Sequence, residues 1–139
     1  MKKLLKLLAI FLLFSSVVSS SAMASSTRTI TDMTGEKVKI PKKINRVADL
    51  WHANNQVVLL LGGQSKLVAT TPLVKKQHWF TVVDPKIAKV AAPLVGNQIQ
   101  VEELVKTKPD VVIASDQAQI KESRQAKLPT VNAMYTDFA

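Results

Sequence analysis

The sequence predicts an α/β fold: a Rossmann-like layer of parallel strands covered by helices, preceded by a β-hairpin. Three observations carry this. Short β-branched runs alternate with short helical stretches, the pattern of a parallel sheet with right-handed crossovers. Asp110 opens an uninterrupted apolar run, Val111-Val112-Ile113-Ala114, which suits a strand buried on both faces of such a sheet. Near the start, two β-branched runs flank Met33-Thr34-Gly35, a turn signal with glycine in it.

Taken in order, residues 28–32 and 36–40 form the expected hairpin, which Pro41-Lys42-Lys43 ends. Residues 46–50 read as the first parallel strand. Asn54 or Asn55 suits the N-cap of a helix running through Leu61, with Gly62-Gly63 as its stop. Residues 67–70 form a second strand, followed by a polar and aromatic connection over residues 72–80. Residues 85–89 are expected to make a helical turn and residues 89–92 a short strand. Then come a helix over 101–106, a strand over 110–114, a helix over 117–126 and a strand over 130–134. Lys108-Pro109 breaks the first of these helices. Proline lacks the amide proton a helix interior needs and pushes its predecessor out of the α region.

Residues 1–24 read as a secretory signal peptide. Lys2, Lys3 and Lys6 supply the charged start, residues 7–14 the apolar core, and Ala22-Met23-Ala24 the small residues before cleavage between Ala24 and Ser25. The apolar core is too short to span a bilayer, which takes roughly 20 residues. There is no cysteine, which excludes disulfides, thiolate metal sites, a cysteine nucleophile and a lipid-modified cysteine. A free monomer in the periplasm is the expectation. The three leader lysines account for three units of the formal net charge of +9, leaving +6 on the mature part. That charge is spread and aromatic residues are few, so no nucleic-acid partner is expected.

The chemistry is read from the strand ends, because open parallel sheets bind ligands at the carboxyl ends of their strands. After the first strand come Trp51, His52 and Asn54; after the second, Thr71, with His78 and Trp79 further along the same connection. Asp116 follows the fourth strand and Tyr135 the last. Flat aromatic surface plus a few polar anchors suits a bulky or chelated ligand. A dinucleotide is excluded, since the loop Trp51-His52-Ala53-Asn54 lacks the glycines that let backbone amides approach a pyrophosphate. No Walker lysine motif and no G-x-S-x-G elbow occurs, so no nucleotide cofactor is expected and an exported α/β hydrolase is a remote alternative. His52 and His78 could bind a metal ion such as nickel, cobalt or iron directly, the nearer alternative.

In order and spacing, several pieces resemble the periplasmic solute-binding proteins of iron-siderophore, haem and cobalamin ABC importers. They are Asp32-Met33-Thr34-Gly35, Ile40-Pro41 before Arg46-Val47, and Leu61-Gly62 before Leu67-Val68-Ala69. Val101-Glu102-Glu103-Leu104 then leads into Lys108-Pro109-Asp110-Val111-Val112, and Leu128-Pro129-Thr130-Val131 follows. The resemblance covers nearly all of the mature chain. It implies that residues 25–139 are the N-terminal lobe of a two-lobed protein whose second lobe lies beyond the given sequence. It also implies a binding protein that is no enzyme and needs no cofactor, a metal-chelate ligand, and an inner-membrane ABC permease as partner, docked through Glu102 and, beside it, Glu103. Trp51-His52 stands where a Ser-Pro pair is commoner, and Gln56 where a glutamate is frequent.

Overall fold

The computed structural model describes residues 26–135, so the expected leader and the expected Ala24–Ser25 cleavage point lie outside the described residues. The hairpin consists of β1 (Thr27–Thr31) and β2 (Lys37–Pro41), paired antiparallel from Thr27↔Pro41 to Thr31↔Lys37. Alternation buries Val38 and Ile40 and leaves Lys37 and Lys39 exposed. Pro41 is the last residue of β2 rather than the break after it; a strand terminus tolerates the missing N–H. The turn is built by Asp32, whose Oδ1 accepts from Thr34 N–H at 2.9 Å, Thr34 Oγ1 at 2.7 Å and Glu36 N–H at 3.0 Å. Gly35 supplies the left-handed φ of +81° that the turn requires.

β3 (Val47–Asp49) leads into α1 (His52–Leu60). This helix begins before Asn54 and Asn55, with Trp51 in the N-cap position, because both asparagine amides turn back toward the strand end. Its stop is as expected: Gly62 sits at φ +70°, and the Gly62 and Gly63 amides return to Leu59 and Val58 carbonyls. A 3₁₀ turn over Gln64–Lys66 precedes β4 (Leu67–Ala69).

The connection over residues 72–80 folds into two short helices, α2 (Pro72–Lys76) and α3 (His78–Val83). Thr71 caps the first, its hydroxyl accepting from Val74 N–H at 3.2 Å, with Pro72 at the first helical position. Another 3₁₀ turn covers Pro85–Lys89. The strand expected over 89–92 shrinks to one parallel bridge, Ala69↔Ala91. Pro93 follows at once and has no N–H to extend a ladder. A small hairpin takes the chain onward instead: β5 (Leu94–Val95) and β6 (Gln98–Ile99) around Gly96-Asn97, with Gly96 at φ +58°.

α4 (Val101–Lys106), β7 (Val111–Ala114), α5 (Gln117–Gln125) and β8 (Thr130–Asn132) complete the chain. Lys108 after α4 takes φ +46° before Pro109. The carbonyls there are held across the fold: the Arg46 guanidinium donates to Thr107 O at 2.6 Å and Lys108 O at 2.9 Å. Asp110 Oδ2 accepts in return from the Asn45 and Arg46 amides at 2.7 and 2.9 Å. The four longer-range strands form one parallel sheet in the order β4-β3-β7-β8. Its core combines Ala48, Leu50, Ala69, Val112 and Ala114 with Ile99, Leu104 and Ile120 from the hairpin and helices.

Candidate functional site

The carboxyl ends of the parallel strands open onto two adjoining hollows that share Leu50, His52, Asn97 and Gln119. The first, of about 330 Å³, adds Thr71, Pro72, Leu73 and Lys76 from the end of β4 and α2, and Leu94 and Gly96 from the small hairpin. The second, of about 500 Å³, adds Trp51 from the β3 end, and Ser115, Asp116, Gln117 and Ala118 from the β7–α5 turn. Met134 after β8 completes it.

Of the residues read from the sequence, Trp51, His52, Thr71 and Asp116 line this cleft. Tyr135 stands against Trp51, with ring centroids 5.4 Å apart and planes tilted by 53°. Two of these side chains are partly committed: the Thr71 hydroxyl caps α2, and Asp116 Oδ1 accepts from Gln119 N–H at 3.0 Å to cap α5. Asn54 turns inward, donating its Nδ2 to Asp49 Oδ2 at 2.8 Å. His78 and Trp79 line neither hollow. Forming α3 carries Trp79 onto Phe80, with ring centroids 3.7 Å apart, and into a separate apolar hollow with Leu59, Leu60 and Val83.

Sequence reasoning missed Lys76, Asn97, Gln119 and Asp49. Gly96-Asn97 between Leu94-Val95 and Gln98-Ile99 is a readable two-residue hairpin signal. Gln119 follows the Asp116 cap by three positions; it is buried, and its Nε2 donates to Asn97 O at 2.9 Å, tying hairpin to helix. Lys76 had no local signal, since only the α2 fold brings it to the cleft.

Asp49, at the end of β3, is fully buried. Burial raises its carboxyl pKa to about 7, against the opposing hydrogen bonds from Asn54 and the Trp51 amide. Away from the cleft, Glu102 and Glu103 are exposed in the first turn of α4. Glu103 pairs with Lys106 at 2.6 Å; Glu102 is not part of that pair.

No protein-family model matches the chain. It is 34% identical over 132 residues to the molybdate-binding protein MolA of Haemophilus influenzae, which covers 91% of this chain and 37% of MolA. Among solved structures, a periplasmic solute-binding protein from Veillonella parvula superposes with a TM-score of 0.72 at 30% identity, over 81% of this chain and 36% of that one. The chain has the fold of a periplasmic solute-binding lobe. Molybdate-bound MolA gives a TM-score of 0.69 at 28% identity, over 76% of this chain and 34% of that one. The haem-binding protein HmuT shares the fold at 19% identity, with a TM-score of 0.59. The chain thus spans little more than a third of the length of these relatives. Among its described residues, no helix is long and apolar enough to cross a membrane.

Proposed function

We propose that this chain belongs to the solute-capturing component of an ABC importer, acting in the periplasm without catalysing a reaction. Its cargo is a metal oxyanion of the molybdate class. The carrying observation is a hollow at the strand ends whose polar lining residues are His52, Lys76, Asn97, Gln119 and Thr71, with no acidic residue in its lining. A small dianion is held by N–H and O–H donors and a positive charge, and a facing carboxylate would repel it. The molybdate-binding relative supports the same reading, and its structure comes from an ABC transporter system.

A metal chelate, such as a ferric siderophore, haem or cobalamin, is the second reading. The Trp51–Tyr135 pair favours it by offering a flat aromatic face beside the cleft. Direct metal-ion capture has less support: among the described residues no three His, Cys, Asp or Glu side chains gather, and His78 is apart from His52's hollows.

A thermal-shift panel of molybdate, tungstate, sulfate, a ferric siderophore, haem and cobalamin separates these readings. A ligand at a hundred times its Kd stabilises by about 2.7 kcal/mol. Molybdate and tungstate are expected to raise Tm, and Lys76→Glu to weaken them at least tenfold. Stabilisation by a chelate alone, lost in Trp51→Ala, would move the conclusion to the second reading. A flat response to the whole panel would remove both.

Delivery has its own test. Glu102 projects from the start of α4, where the helix end favours a carboxylate and an arginine on a permease could engage it in a bidentate pair. Glu102→Lys is expected to leave Tm and ligand affinity nearly unchanged while impairing permease binding and uptake. Glu103→Lys should be milder, since Glu103 is already engaged by Lys106. Wild-type uptake by Glu102→Lys would remove the docking role.

A further inference from the structure

Beneath the cleft lies a group of buried polar side chains that the lining alone does not explain. Asp49 Oδ1 accepts from the Trp51 backbone N–H at 3.1 Å, and its Oδ2 accepts from Asn54 Nδ2 at 2.8 Å. Asn55, fully buried in the first turn of α1, donates its Nδ2 to the Asp49 and Trp51 carbonyls at 3.1 and 2.9 Å. Its Oδ1 accepts from Thr70 Oγ1 at 2.7 Å. The carboxyl ends of β3 and β4 are therefore bridged through this network, and two of its bonds end on the backbone of Trp51, one on the amide and one on the carbonyl. The buried Asp49 carboxyl and Asn55 amide are costly to desolvate, and a connected polar network defines one geometry where apolar packing would tolerate several. Asp49 Oδ1 thus holds the Trp51 amide while Asn55 holds its carbonyl.

We propose that Asp49 is the positioning residue of the cleft: through the Trp51 amide and Asn54 it fixes the turn that presents Trp51 and His52 to a captured ligand. The proposal rests on the cleft being the capture site. Burial raises the Asp49 carboxyl pKa to about 7, so the strength of the bond it accepts from the Trp51 amide changes near neutral pH. The other titratable groups at the cleft are His52 on α1, Lys76 on α2, Asp116 before α5 and Tyr135 beside Trp51, while Lys75 of α2 donates away from it to the Val90 carbonyl at 2.8 Å.

The test uses the full chain carrying Trp79→Phe, which leaves Trp51 as the single indole of the two present. Without ligand, adding Asp49→Ala is expected to shift Trp51 emission to longer wavelength; with sodium molybdate as probe, it should weaken binding at least tenfold. Asp49→Asn keeps an acceptor for the Trp51 amide and should recover most of both. Ile87→Ala, a packing loss in the separate cluster with Leu67, Val74 and Phe80, should lower stability while leaving emission and affinity in place. If Asp49→Ala behaves as Ile87→Ala does, Asp49 is merely structural and the proposal is overturned. A shifted emission in a protein whose parent binds no molybdate would support the positioning of the turn and overturn the oxyanion reading instead. Should Asp49→Ala fail to fold, a His52→Gln, Trp79→Phe background decides. Trp51 emission titrating near pH 7 and losing that titration in Asp49→Asn supports the proposal; titration that survives Asp49→Asn overturns it.

Discussion

The parent chain is expected to lose stability as pH rises from about 4 to 7, and Asp49→Asn to abolish that loss. The Asp49 carboxyl is raised by burial from 3.8 to about 7, so across this window the folded state holds a proton that the unfolded state has released. Stability from this group is therefore complete below the unfolded value and is lost as pH climbs through the folded one. At about 1.4 kcal/mol per unit, the full effect approaches roughly 4 kcal/mol, an upper bound because relaxation and water entry soften buried charges. Urea denaturation at pH 4.5 and 7.5 measures it. The variant should gain on the parent at the higher pH and not at the lower; an unchanged slope in the variant would assign the effect elsewhere.

Asp32→Ala should have an effect of similar size but with the opposite dependence on pH. The Asp32 carboxylate is buried in the hairpin turn and also meets the sheet, its Oδ2 accepting from Asn132 N–H at 3.3 Å and Arg124 Nη2 at 3.2 Å. Arg124 also pairs with Glu36 and donates to Thr130 O, so one guanidinium joins β1–β2 to β8. Burial pushes the Asp32 carboxyl up, but hydrogen bonds from Thr34, Glu36 and Asn132 outweigh it and hold its pKa below the ordinary 3.8. Its contribution is present above that unfolded value and is lost as pH falls toward the folded one. Truncation strands several donors at once, at about 1–3 kcal/mol for each that stays buried, so a loss of about 3–5 kcal/mol is expected at pH 7. Chemical denaturation measures this, and a loss below about 1 kcal/mol would show that water replaces the carboxylate freely.

Several elements were legible because their causes are local. The β7 run is apolar without interruption; Gly35 and Gly62 stand where the backbone turns left-handed; Lys108-Pro109 stops a helix. The rule that parallel strands bind at their carboxyl ends put Trp51, His52, Thr71 and Asp116 on one rim of the sheet. The start of α1 was misplaced because Asn54 and Asn55 looked like caps, while a carboxylate behind them had already taken the Trp51 amide. The polar and aromatic connection over residues 72–80 shows no helical signal in the sequence because two helices this short leave little periodicity to detect.

By itself the sequence determined the α/β class, the hairpin, most element boundaries to within a residue or two, and which side chains sit at strand ends. Those are consequences of backbone chemistry and apolar spacing over a few residues. Only the tertiary structure decided which of them meet. It turned Trp79 onto Phe80, brought Lys76, Asn97 and Gln119 to His52, and laid Arg46 over the end of α4, 61 positions along the chain. It also left Asp49 without solvent, and with that decided its proton affinity. Burial and long-range hydrogen bonding are properties of the packed molecule, set by neighbours distant in sequence, and no local pattern encodes them.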